Sequence, residues 1–401
     1  MVFTGWSSGG KDRATPPFDP WQRVSHASSL TRANYVSNLA LTETSGGWSG
    51  FNAAIFESLE RHFSLAYVGP VSPQDDLRAK VFSKLNRSVG RRGSFAFFSP
   101  RRLASTALLV AQGVDDSARL SFFHGSTPWI AYHPDVPYAC FLDVCFATYV
   151  TVYHDRNEFD PQDLARIEKK ERTWLRAAHR VFFSSKWAME SAVAAYGLAR
   201  STLRVVGMGG HLPIPKADRY SGGNEFLFIA LDFEGKGGQL CVDAFRQIRQ
   251  QHANATLRII GERPPATVLT MDGIAYEGLL RKSVPADLAR LQELLSSAFA
   301  LVHPTVRDAT PQVIIEAQYF GCPAIAPRSF GIPELVLDGV SGCLVNAPPT
   351  VAEVAEKMMQ LFDDPAAYRK LRDSARAHAL AHFTWGLVGD RMAAEMRTVS
   401  S

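Results

Sequence analysis

The sequence predicts an α/β chain folded as two doubly wound parallel-sheet domains that face a central cleft. Three observations carry this expectation. At 401 residues the chain is too long for one compact core. Short apolar runs bounded by Gly, Pro and polar residues alternate with stretches of helical apolar spacing, the order of parallel strands joined by crossover helices. The alternation stops once, over a segment holding Pro213, Pro215, Gly222 and Gly223, and then restarts. Composition fits a globular protein: 46% hydrophobic, 20% charged, and a net charge of +4 that argues against a dedicated nucleic-acid binder.

The elements follow in order. Residues 1–33 place Lys11 and Arg13 among Gly, Ser and Pro with no apolar segment behind them. They are not a secretory signal and are expected to be a flexible or draped extension. The first domain, 34–210, opens with a strand over 35–41 and a glycine loop, Ser45-Gly-Gly-Trp-Ser-Gly50. Phe51, Ile55 and Leu59 then mark a helix to His62. A strand at 64–69, a basic helix from about 74 to 92 and a helix from 101 to 113 come next. Strands at 119–124 and 138–143, a helix over 161–178, a strand at 180–185, a helix over 186–196 and a strand at 203–207 complete this half. Residues 211–224 are the expected linker. The second domain, 225–382, restarts with a strand at 225–231, a helix over 239–252 and a strand at 256–261, and ends with a helix over 352–362. Residues 383–401 hold a final amphipathic helix.

The residue pattern that bears on chemistry lies in the second half. An apolar run ends at Pro304, Asp308 follows in a loop, and Glu316 is expected to open a helix eight positions later. Gly321 and Pro323 precede a new apolar run that leads to Gly331-Ile-Pro-Glu334. Open α/β sheets present ligand-binding groups in such loops, at the carboxyl ends of their strands. Earlier, Leu231-Asp-Phe-Glu-Gly-Lys236-Gly237-Gly238 follows the first strand of this half. Its glycines permit close backbone approach, and the next helix N-terminus with Lys236 favours an anion. Gly, rather than Ser or Thr, follows the Gly235-Lys236 pair, so this is not a Walker A loop. The five cysteines are odd in number and scattered, without metal or redox spacing, and are expected to be reduced thiols. No His/Asp/Glu cluster has metal-ligand spacing.

This order resembles the donor-binding half of nucleotide-sugar glycosyltransferases of the GT-B architecture, two Rossmann-like domains, and specifically the large retaining family 4 (glycosyl transferases group 1) with its E-x7-E motif. The resemblance implies that Glu316 meets the donor ribose and that Asp308, where a Glu is usual, meets the transferred sugar with a reach one methylene shorter. Lys236 and Gly237 match the family's Lys-Gly element, which binds the donor diphosphate. The Arg usual five residues earlier is Leu231 here, and Arg263 is the expected substitute. Gly46 and Gly47 would face the donor phosphates from the acceptor domain. Base recognition would use backbone near Gly261–Arg263 and Glu277–Leu280, with Gly278, Leu279, Thr310 and Pro311 among the donor contacts. Asp143 stands where many relatives carry a His. It matches a subgroup with an Asp-x-x-Phe pattern and a Ser-Ser-x-Trp-Ala element, found here with Glu171 and Ser184–Ala188. In that position Asp143 would orient the acceptor hydroxyl or take its proton, with His124 and His154 as rivals. Gly207-Met-Gly-Gly-His211 departs from the Pro-containing turn that relatives often have there.

The implied function is transfer of a sugar from a UDP- or GDP-sugar to an acceptor hydroxyl with retention, without cofactor or bound metal, by a cytoplasmic protein. The acceptor is a glycan, a lipid-linked group or a small molecule. The basic stretch 77–102, with interleaved apolar residues, is expected to make peripheral membrane contact, and no nucleic acid is bound. A catalytically silent nucleotide-sugar-binding subunit and a GT-B nucleotide-sugar epimerase are the alternatives.

Overall fold

The computed structural model describes residues 30–41, 47–88 and 90–398. Among them lie two six-stranded sheets, parallel throughout. The first is ordered β2-β1-β3-β4-β5-β6. Its strands are β1 (Arg32–Val36), β2 (Ser64–Val68), β3 (Leu120–His124), β4 (Tyr138–Leu142), β5 (Arg180–Phe183) and β6 (Leu203–Val205). The second is ordered β12-β11-β10-β7-β8-β9. It is built from β7 (Glu225–Ala230), β8 (Thr256–Gly261), β9 (Ile274–Gly278), β10 (Ala300–Val302), β11 (Ala324–Pro327) and β12 (Gly342–Val345). Each order reverses once, between β1 and β3 and between β7 and β10. At such a point the connections leave in opposite directions and open a crevice beyond the carboxyl ends of the strands.

Helices cover both faces of the sheets, which is why β3 and β4 are buried at every position and read as unbroken apolar runs rather than as alternations. On one face of the first sheet, Phe122, Phe141 and Phe182 pack with Ile55 and Leu59 of the helix Gly47–Glu60. On the other, Phe123 packs with Trp129 and Trp174. The first of these cores runs without interruption into Leu227, Leu301 and Ile314 of the second sheet and its helices. The C-terminal helix Trp385–Arg397 joins it through Val388, Met392 and Met396, and lies against the helix Gly47–Glu60. Residues 206–224, between β6 and β7, form neither helix nor strand. All five cysteines are buried and unbridged.

Several sequence expectations shift. β1 ends at Val36 rather than at 41. The helix placed after the glycine loop begins at Gly47, inside that loop, while Gly46 lies outside the described residues. The basic helix spans Leu77–Ser88 rather than 74–92, because the Asp76 carboxylate accepts the Ala79 amide and fixes the start. Glu316 does not open its helix. That helix runs Gln312–Tyr319, so Glu316 sits past its first turn, and the field of the helix N-terminus does not account for its position.

Candidate active site

The crevice between the two sheets is a cavity of about 1040 Å³. Its wall is made by the carboxyl ends of β3, β4, β7, β8 and β10 and by the segments that leave them. His124, Asp143, Lys236, Asp308, Thr310, Pro311, Glu316 and Leu279 all line it.

The loop after β7 is folded by its own side chains. The Asp232 carboxylate accepts the Gly235 amide at 2.8 Å, and Glu262 accepts the Phe233 amide at 2.5 Å. Gly237 caps the following helix at φ +78°, with the Pro304 carbonyl occupying the place a Cβ would need. Glycine is required there on both counts. This turn aims Lys236 across to the loop after β10, where Nζ donates to Asp308 Oδ2 at 2.6 Å and to the Arg307 carbonyl at 2.8 Å. His303 Nε2 lies 3.3 Å from the same carboxylate oxygen. Burial alone would raise the Asp308 carboxyl. The His303 hydrogen bond and the Lys236 charge outweigh it and hold the group below its ordinary value.

Glu316 is buried, and its Oε1 accepts both the His211 amide at 2.8 Å and Lys282 Nζ at 2.5 Å. The chain reaches it through the glycine pair before His211. A Cβ on Gly210 would stand 2.7 Å from Glu316 Cγ, so only glycine lets the connecting segment pass this close. Gln312 Nε2 holds the same segment by donating to the Gly209 carbonyl at 2.8 Å. The His211 ring stacks on Phe51 and on Trp385, which also touch each other.

On the opposite wall Asp143 accepts from Ser184 Oγ at 2.7 Å, and Ser184 Oγ is 3.0 Å from Thr310 Oγ1 across the crevice. Burial, with a smaller push from Asp308, raises the Asp143 carboxyl to about 6, although Ser184, Thr310 and Lys236 act against it. At neutral pH it is mostly an anion with real proton affinity, the range suited to a general base. His124, fully buried at the end of β3, is pushed down to about 3 by burial and stays a neutral imidazole. Tyr153 accepts the Ala309 amide at 3.0 Å and so fixes the loop that carries Asp308. Its phenol is pushed up, by burial first and then by Asp308 and Asp143, and keeps its proton. Behind this wall the buried Glu171 accepts from Ser126, Thr127 and Tyr196 hydroxyls and from the Phe146 amide, all at 2.6 to 2.7 Å.

Not every expected residue reaches the cavity. His154 lines a separate hollow of about 420 Å³, with Nε2 3.2 Å from the Tyr149 hydroxyl. Arg263 is exposed and is not on the cavity wall; Arg281 and Lys282 are. Gly237 contributes a turn beneath Lys236, and Gly278 ends β9 at φ +88°, next to Leu279. Gly47 is the first residue of a helix. Sequence reasoning missed Lys282, Gln312, His303 and Tyr153. Of these, only His303, beside Pro304 at the end of an apolar run, carried a visible signal.

Comparison with known proteins relates the chain to glycosyltransferases. Residues 223–364 match the family described as Glycosyl transferases group 1. Glycogen synthase from Mycobacterium tuberculosis is 26% identical over 286 residues, 69% of this chain and 68% of that protein. Sucrose-phosphate synthase from Thermosynechococcus elongatus shares the fold at a TM-score of 0.67 and 16% identity, over 92% of this chain and 98% of that one. Anabaena HepE in complex with UDP does so at 0.63 and 15%, over 92% and 100%. Residues 223–364 are thus a glycosyl transferases group 1 segment, and the chain is a glycosyltransferase of GT-B fold.

Proposed function

We propose that the chain transfers a sugar from a nucleotide diphosphate to an acceptor hydroxyl with retention, the second sheet holding the donor and the first the acceptor. One observation carries this reading. Two acids, each already paired with a lysine, Asp308 with Lys236 and Glu316 with Lys282, face a single crevice at the switch points of both sheets. A diphosphate drawn to Lys236 loosens its bond to Asp308, and that carboxylate turns to the sugar. Glu316 uses only Oε1 for Lys282 and the His211 amide, which leaves Oε2 for a ribose hydroxyl. Arg281 and Lys282 supply the positive charge absent at Leu231.

In the reaction the bond from the anomeric carbon to the diphosphate oxygen breaks and the bond to the acceptor oxygen forms on the same face. Negative charge at Asp308 stabilises the oxocarbenium-like centre. The acceptor proton passes to the departing diphosphate or to Asp143. The complex of HepE with UDP favours a uridine donor for this chain, and a GDP-sugar is the second choice. The helix Leu77–Ser88 leaves Val81, Phe82 and Leu85 exposed beside Lys80 and Lys84, which supports peripheral contact with an anionic membrane. Among the described residues no helix is long and apolar enough to cross one.

The test is thermal unfolding with UDP, GDP, ADP, TDP and CDP, in wild type and Glu316→Gln. One nucleotide at a hundred times its dissociation constant stabilises the fold by about 2.7 kcal/mol. The shift should appear in wild type and shrink in the variant. Shifts absent with every nucleotide sink the donor site. Binding without any sugar released from a matching nucleotide sugar favours the silent subunit, the reading that Leu231 supports.

A further inference from the structure

We infer that the acceptor is an amphiphile, with an apolar or aromatic body that lies on a strip of rings and an anionic group that meets Lys80 and Lys84. This rests on the glycosyl-transfer reading and names its acceptor class. The strip starts at the reacting end of the cavity, where Tyr153 holds the Ala309 amide next to Asp308. Tyr149 follows with its ring 5.4 Å from Tyr153, then Phe95 at 6.5 Å from Tyr149. Phe98 lies 5.7 Å beyond, and Phe97 5.0 Å beyond that. All five rings line the main cavity.

Two of them, Phe95 and Phe97, also line the hollow of about 420 Å³ that adjoins it. The strip therefore runs from the reacting end to the border of that hollow. There the walls change character: Lys80, Lys84 and His154 face it, against one acid, Glu158. Lys80 is drawn to Asp75 at 2.5 Å outside the hollow's lining, while Lys84 is exposed.

Two features argue for a ligand rather than for simple packing. Phe97 and Tyr149 are 42% and 38% exposed although each sits within a cluster of rings, so apolar area is left open to water at a cavity wall. The cavity is also divided in its chemistry. The charged groups Lys236, Arg281, Lys282, Asp308 and Glu316 gather on the side of the second sheet, and the other side carries the rings, with Asp143 as its charged group. A purely polyhydroxylic acceptor needs hydrogen-bonding side chains along its length, and this strip offers little beyond the two tyrosine hydroxyls. An apolar body removes the open ring area from water, and a phosphate or carboxylate on its far end answers the lysines.

The experiment measures binding of octyl phosphate, below its micelle concentration, to the full chain by calorimetry, beside octanol and inorganic phosphate. Octyl phosphate should bind at least tenfold more tightly than either half. Phe97→Ala and Lys84→Glu, both at exposed positions, should each weaken it at least fivefold and leave nucleotide binding and melting temperature unchanged. Vesicles of anionic and of zwitterionic lipid separate the sources. Gain of octyl phosphate affinity without vesicle binding points to a soluble amphiphile, and co-sedimentation lost in both variants points to a membrane lipid. Nucleotide binding with no preference for octyl phosphate, or a preference that both variants keep, overturns this inference and leaves the transferase reading standing. Loss of nucleotide binding in the wild type overturns that reading instead.

Discussion

Two carboxylates a few residues from one another in space are driven in opposite directions, and this division is the chemical content of the crevice. Asp143 is raised to about 6 from 3.8, by burial first, while Asp308 is held low by His303 and Lys236 against its own burial. The folded protein therefore binds the Asp143 proton more tightly than the unfolded chain does, and this group lowers stability as the pH rises from about 4 to 6. Above that window the penalty is complete, at most about 3 kcal/mol for a shift of roughly two units. Asp308 acts the other way: its contribution is present above about pH 4 and is lost in more acid solution. Asp143→Asn should thus melt higher than wild type at pH 8, with the gain fading towards pH 4, while transfer activity falls. A variant that melts no higher at pH 8 contradicts the raised carboxyl. At Glu316 the expectation is different. Glu316→Gln leaves Lys282 facing a neutral group, which should cost about 1–3 kcal/mol of stability and weaken nucleotide binding at least tenfold. Nucleotide affinity equal to wild type removes Glu316 from the donor site.

At the scale of elements, tertiary contacts decide what local preference leaves open. The segment Phe146–Tyr153, Phe-Ala-Thr-Tyr-Val-Thr-Val-Tyr, is rich in β-branched and aromatic residues and reads locally as a strand. It is a helix because Glu171, from another helix, accepts the Phe146 amide at its start. Glu171 also ties down Ser126 and Thr127 after β3, so one buried carboxylate fixes two segments of the cavity wall. Glutamine offers one acceptor oxygen where the carboxylate offers two, and Glu171→Gln should cost about 2–4 kcal/mol, read by chemical denaturation. A loss under about 0.5 kcal/mol means the four bonds are not held together in solution. Glu334 works between the halves. Its two oxygens accept the Lys186 and Trp187 amides at 2.7 and 2.9 Å, capping the helix Lys186–Tyr196 from the opposite side of the crevice. Removing a helix cap costs about 1 kcal/mol, so Glu334→Ala should melt only slightly lower. Its kcat/KM should fall more than stability explains, because the two walls of the crevice lose a tie. Unchanged kcat/KM would separate this contact from turnover.

For the whole molecule, the shared core sets the expectation. Leu227, Leu301 and Ile314 of the second half belong to the same packed cluster as Ile55, Phe122 and Phe141 of the first, and the C-terminal helix is part of it. The described residues from Thr31 onward group as one compact unit. Scanning calorimetry should show one cooperative transition that shifts as a single peak when nucleotide is added. Two transitions, with only the later one moved by nucleotide, mean that the halves unfold independently and that the shared cluster is weak.

The sequence by itself determined the class of fold, because parallel strands covered on both faces are continuous apolar runs and their spacing reports crossover helices. It also singled out Lys236, Asp308 and Glu316, through the family motifs they resemble, and all three line the crevice. β9 was not legible, since it is a half-buried edge strand whose Glu277 is turned to Arg258 and Arg290 instead of alternating inward and outward. Only the tertiary structure decided the partners. Lys282 reaches Glu316 from 34 residues away, Lys236 reaches Asp308 from 72, and Ser184 meets Thr310 from 126. No periodicity encodes such pairs. They arise from which strand ends the two reversals of sheet order bring to one crevice, and with them arise the opposed proton affinities of Asp143 and Asp308.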